Sequence, residues 1–488
     1  MALHQKKWTH VLLLSLLFAL ASSVGLHMWL SHILQQLEKK SLATQTPWMT
    51  IFVHGSFATT LGLISVFNVI KDNVRKTAYK QMSRLMRSDP FFFQMQPLQE
   101  LGLKPVIPSF ELPQATHKYA VLPIAAAYEV MSDLATHNNE KHLFYTYGWS
   151  GLISQYRRRS EAIKFYRALT EEYTRLQSSG ISPKIRLIAH SHGGNLILNM
   201  AGIHALLTRA STEKPTASEY STHDELASMQ ALWEVLQKKT KEHPLPTAHF
   251  TIDEVIMLGT PIQPETVGFT QVPFFKHLYN LYSDDDIIQG MDWVSTRRYY
   301  SEKRIEHRHP LPAHAPLLTQ IKITLNKPHL LIKDPALLAK ATSQDSSLSG
   351  LKDTLSALWT KMFGVRRSKG SQDPLHKEFW FMSWKAHELE GQAQFHIQPY
   401  PYVILLPYIE RLAEKIANTH DLDVHIKFNQ DYVSLSAYAH DTVDKLGKVY
   451  IPRPLVHELQ TMAQKWRPEN VSPAFEMELL HHYSQMIQ

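Results

Sequence analysis

The stretch Ile185-Arg186-Leu187-Ile188-Ala189-His190-Ser191-His192-Gly193-Gly194-Asn195 decides how this chain is read. Its apolar first half has the look of a buried strand, and a helical pattern begins at once in Leu196–Leu207. A strand that turns straight into a helix through a lone serine is the layout of a nucleophile elbow, in which a tight turn lifts the hydroxyl clear of the sheet. Such a turn crowds its neighbours, so small residues are needed two before and two after the serine. Ala189 and Gly193 stand there, and Gly194 gives further room. The helix N-terminus behind Ser191 aims backbone N–H groups at the place where a developing oxyanion would sit. A serine that only caps its helix is the plainer reading of the same residues.

Working outward, strands and helices alternate. Met49–Val53 is a β-rich run closed by His54-Gly55-Ser56. His142–Trp149 reads as a strand and Ser154–Gln177 as a long amphipathic helix. Phe250–Leu258, His277–Ser283, Leu318–Leu325 and Phe379–Trp384 read as further strands, and Tyr402–Ala417 as a helix. Alternation at this spacing implies a mostly parallel sheet with helices on both faces. The spacing predicts a main domain over 47–418, interrupted by insertions at about 60–118, 211–246 and 341–373. A C-terminal extension over 421–488 contains a β-like patch (Val424–Ala437) and two helices. The basic run Arg157-Arg158-Arg159 is expected on a solvated helix face rather than on nucleic acid, because no recognition module accompanies it.

The chain has 488 residues, a net charge of +7 and no cysteine. Disulfides, thiolate metal sites and a cysteine nucleophile are therefore excluded. His190 and His192 form an H-x-H pair without a third ligand at useful spacing, so no metal is expected there, and no cofactor motif is present. At the N-terminus, Lys6 and Lys7 precede the apolar run Val11–Ala21, which continues in broken form to Leu34. Residues 1–34 are expected to be a secretory signal peptide cut after Ala21, or an uncleaved membrane anchor with the lysines inside. Either reading exports the body of the protein.

Several of these stretches, in order, resemble the α/β-hydrolase family of lipases and esterases, over roughly Thr50–Lys415. Ala189-His190-Ser191-His192-Gly193-Gly194 is similar to the elbow, and Val53-His54-Gly55-Ser56 to the family's His-Gly turn. Leu258-Gly259-Thr260-Pro261 is similar to the next strand end, and Tyr282-Ser283-Asp284-Asp285-Asp286 to the segment bearing the acid. The resemblance implies an α/β-hydrolase-like fold and a Ser-His-Asp triad in that family's chain order, Ser…Asp…His. It implies Ser191 as nucleophile, Asp286 as acid with Asp285 as its rival, and His387 as base. His396 and the cluster His307, His309 and His314 are the competing bases. The backbone N–H groups of Ser56 and His192 would bind the oxyanion, each worth roughly 3 kcal/mol of barrier. The implied activity is cleavage of an ester, a lipid ester first, with membrane-surface contact and no nucleic-acid partner. A soluble thioesterase or carboxylesterase, or a silent relative that binds membranes or partners, shares the same residues. The apolar stripe of Leu348–Phe363, followed by Arg366, Arg367 and Lys369, is expected to be an interfacial lid or a packed surface helix.

Overall fold

The structure is a computed structural model. It describes residues 46–56, 100–106, 121–136, 141–152, 154–209, 213–217, 222–241, 243–286, 289, 301–306, 315–326, 376–380, 384–389, 392–397, 402–416, 420–428, 432–440 and 442–452. The N-terminal segment, Leu348–Phe363 and the cluster His307, His309 and His314 lie outside the described residues.

Twelve strands occur among the described residues. The first six are β1 (Trp48–Val53), β2 (Gly102–Pro105), β3 (His142–Gly148), β4 (Lys184–His190), β5 (Ile252–Leu258) and β6 (Phe275–Tyr282). The rest are β7 (Leu317–Asn326), β8 (Trp384–Leu389), β9 (Gln392–Ile397), β10 (Asp421–Phe428), β11 (Tyr432–Ala439) and β12 (Lys445–Pro452). Ten form one mixed sheet in the order β12-β11-β10-β7-β6-β5-β4-β1-β3-β2. From β10 across to β3 every pairing is parallel, whereas β2, β11 and β12 join antiparallel at the two margins. The C-terminal extension expected from Asp421 onward thus continues the main sheet. There Lys445–Pro452 is a strand that pairs antiparallel with β11 beyond the expected β-like patch.

The central strands are buried on both faces, which is why β1 and β4 read as continuous apolar runs. Helices α1 (Val121–Thr136) and α5 (Leu406–Glu414) pack together with a core containing Phe52, Ile188, Ile256, Leu406 and Ile409. Helices α2 (Gln155–Ser178), α3 (His192–Thr208) and α4 (His223–Thr240) pack with a second core containing Ile51, Val53, Leu187, Ala189 and Leu232. Ile188 and Leu187 are neighbours on one strand yet belong to different cores, as period-two alternation requires. No helix among the described residues is long and apolar enough to cross a membrane.

Two local expectations change. Where a strand was expected to begin at Phe379, a 3-10 turn ends instead. That turn spans His376–Phe379, and the rings of Phe379 and Trp380 are fully buried, so the apolar run marks a turn anchored in the core. Arg158 and Arg159 are not on a solvated face either. Both are buried, and Arg158 donates to Gln263 Oε1 at 3.0 Å.

The chain order sets where a ligand fits. After β1 the chain adds β3 on one side and then β4 on the other, so the order reverses between β1 and β4. Open parallel sheets bind ligands outside the carboxyl ends of the strands at such a reversal. Ser56 follows β1 and Ser191 follows β4, so both belong to this crevice.

Candidate active site

Ser191 sits between the last residue of β4 and the first of α3, with φ 54° and ψ −130°. No other non-glycine residue among the described ones has a positive φ. Holding a serine there costs on the order of 1–3 kcal/mol, which the surroundings must offset. They do so by direct fastening. The Ser191 N–H donates to Leu258 O at 2.9 Å, tying the elbow to β5. Asn195 in the first turn of α3 donates to Pro261 O at 2.8 Å and accepts from Thr266 Oγ1 at 2.6 Å.

Close packing explains the glycines. A Cβ on Gly193 would lie 2.7 Å from Val53 O, so only glycine lets α3 begin against the end of β1. A Cβ on Gly55 would lie 2.7 Å from Ser191 Cβ, which puts the His54-Gly55-Ser56 turn directly against the elbow. That turn is held by its own histidine. His54 Nδ1–H donates to Gly55 O at 2.7 Å, and His54 Nε2 accepts from Trp149 N–H at 3.1 Å. The indole N–H of Trp149 donates to His54 O at 2.7 Å, and the two rings stack. Ser56 and His192 are both buried beside the elbow.

The three aspartates after β6 separate by environment. Asp284 is exposed and pairs with Lys322 at 2.6 Å, and Asp285 is partly exposed. Asp286 is fully buried. Its Oδ1 accepts from the Gln289 N–H at 3.1 Å, and its Oδ2 accepts from His376 Nδ1–H at 2.8 Å. Gly259, with φ 58°, makes room for this pair, since a Cβ there would lie 2.9 Å from Asp286 Oδ2.

The histidine on Asp286 is therefore His376, not the His387 that the sequence pointed to. His387 lies in β8 and His396 in β9, which form a separate two-stranded sheet with His387 opposite Gln394. The available signal was an aromatic pair three and four residues after a histidine, which one 3-10 turn carries into the core. With Nδ1–H given to a carboxylate, neutral His376 keeps its lone pair on Nε2. That nitrogen is buried and has no hydrogen-bond partner among the described residues. A buried imidazole in this tautomer can accept a proton, and Asp286 can stabilise the resulting cation.

His190, immediately before the serine, also reaches His376. Its Nε2–H donates to His376 O at 2.9 Å, and its ring stacks on Trp380 at 5.7 Å. Burial, with the His376 ring as the next cause, holds His190 well below the usual histidine range, so it is neutral. Among the described residues no three His, Cys, Asp or Glu side chains are grouped to hold a metal ion.

The fold and these contacts define an α/β protein with a serine, a histidine and a buried aspartate gathered at the carboxyl end of a parallel sheet. Set against protein-family models, curated proteins and solved structures, the chain matches none of them.

Proposed function

We propose that the chain is a serine hydrolase of the α/β-hydrolase kind that cleaves an ester bond, with Ser191, His376 and Asp286 as its triad. The observation that carries this reading is the strained Ser191 at a strand-to-helix turn, directly after a His190 that bonds the backbone of His376, whose ring is paired with buried Asp286 and whose Nε2 has no partner among the described residues. A structural serine would have no reason to hold φ 54° at the sheet's ligand-binding end.

In the proposed reaction, Ser191 Oγ attacks the ester carbonyl carbon while its proton passes to His376 Nε2. The carbonyl oxygen becomes an oxyanion, received by the backbone N–H groups of Ser56 and His192. The intermediate collapses, the C–O bond to the alcohol breaks, and His376 returns the proton to the departing alkoxide. Water then attacks the acyl-serine, giving its proton to His376; the bond to Ser191 Oγ breaks, His376 returns the proton to Oγ, and the acid is released. Asp286 keeps the imidazole in its Nδ1–H form throughout.

A lipid ester is the proposed substrate class. Support comes from the family resemblance and from the apolar stripe at Leu348–Phe363, which falls between acid and base in chain order. The apolar run near the N-terminus supports an exported or membrane-anchored protein working at a membrane surface.

The test is hydrolysis of short-chain and long-chain p-nitrophenyl esters by wild type and Ser191→Ala. Turnover that disappears in a folded Ser191→Ala supports the reading. Equal turnover by both removes it.

A further inference from the structure

We propose that His190 is a positioning residue that aims the catalytic base, through its Nε2–H bond to the backbone carbonyl of His376. This inference rests on the triad reading above.

The geometry of His376 shows why a second hold is needed. Its ring is fixed at Nδ1 by Asp286. A ring held at one bond still pivots about it, so Nε2 can swing away from Ser191. Fixing the backbone of the same residue removes that freedom, because the ring then hangs between two set points. His190 supplies the second point from β4, a strand in the interior of the sheet. It grips the turn twice, at the carbonyl of His376 and at the indole of Trp380, whose plane lies 10° from its own. Because His190 and Ser191 are consecutive, a shift of the elbow carries nucleophile and base together, and their separation is preserved.

The bond can also survive the reaction. Its acceptor is a carbonyl, so His190 must keep its proton on Nε2. Burial leaves His190 neutral, so no second charge opposes the imidazolium that forms on His376.

A carbonyl satisfied only for folding would predict loss of stability without a specific kinetic effect. Three variants separate the cases. His190→Phe keeps a ring for Trp380 but has no donor. His190→Gln places an amide N–H near the Nε2 position, and His190→Asn carries the same amide one methylene short. Each is compared with wild type and Ser191→Ala by kcat and KM on p-nitrophenyl butyrate, and by thermal melting.

The expected result is a fall in kcat of about 100-fold for Phe and Asn, with KM within about twofold, because small misplacements of a catalytic group have that effect. His190→Gln should recover to within about tenfold of wild type. Wild-type kcat in folded His190→Phe overturns the proposal, and so does a Gln variant no faster than Asn. If His190→Phe does not fold, the matched Asn and Gln pair decides in the same way. A wild type without Ser191-dependent turnover overturns the hydrolase reading, and this inference with it. Ser191-dependent turnover that is indifferent to His190 overturns this inference alone.

Discussion

His376 Nδ1 lies 2.8 Å from Asp286 Oδ2, with both side chains shut away from solvent, although the two residues are 90 positions apart. The pair fixes His376 at Nδ1 and leaves Nε2, which has no hydrogen-bond partner among the described residues, as the proton acceptor of the proposed triad. His376→Ala and Asp286→Asn should each lower kcat, on the order of ten-thousand-fold, while the protein stays folded. His387→Ala and His396→Ala, in the separate hairpin, should leave kcat near wild type. Steady-state kinetics on a short ester checks all four, and a silent His387→Ala beside an active His376→Ala would contradict the assignment.

Ser191 occupies backbone space that suits glycine. Ser191→Gly should therefore abolish turnover and yet stabilise the fold by about 1 kcal/mol, as relief of strain exceeds the entropy cost of glycine. Urea unfolding of the two proteins measures this. A Ser191→Gly variant less stable than wild type would show that the turn is not strained.

Burial pushes His142 down to about 3, with Arg186 as the second cause, and burial likewise lowers His190, His204, His277 and His425. An unfolded histidine titrates near 6.5. Below that pH the unfolded chain binds protons that the folded one refuses, so stability rises with pH in this range. The contribution of these groups is complete above about pH 6.5 and is lost as pH falls toward the depressed folded values. Urea midpoints at pH 7.5 and 5 should differ in that direction, and His142→Gln should narrow the difference. A midpoint unchanged between the two pH values would contradict this.

Arg186 is buried within β4, where it pairs with Glu254 of β5 and, at 3.5 Å, with Glu410 of α5. It also donates to the Tyr128 hydroxyl of α1 at 2.9 Å and lies over the Trp48 ring. Arg186→Met would leave two carboxylates together in the core and should cost about 3–5 kcal/mol of stability. Replacing Glu254 and Glu410 with leucine in the same background should recover most of that loss. Denaturation of the single and triple variants checks it, and a neutral Arg186→Met would show that the cluster holds nothing in place.

The elbow was legible because all its determinants are local: an apolar strand, one serine, small flanking residues and an immediate helix. The alternation of central strands with helices, and so the mostly parallel sheet, followed for the same reason. The pairing of His376 with Asp286 was not legible, because it is one contact across 90 residues, while the aromatic run after His376 imitates a strand. Phe379 and Trp380 are apolar because they anchor a turn in the core, so a partner for Asp286 sought after that run falls too late in the chain. Arg158 shows the same limit. Its charge suggests solvent, whereas in the fold it is buried and donates to Gln263, a tertiary contact that the local sequence does not reveal.

The central claim is tested most directly by locating the bond formed with a fluorophosphonate. The purified full-length protein is treated with the reagent, digested, and the modified peptide sequenced by mass spectrometry. The account predicts a single adduct on Ser191, formed far more slowly in His376→Ala and at the wild-type rate in His387→Ala. An adduct on another serine, or a His376→Ala protein labelled as fast as wild type, would contradict it.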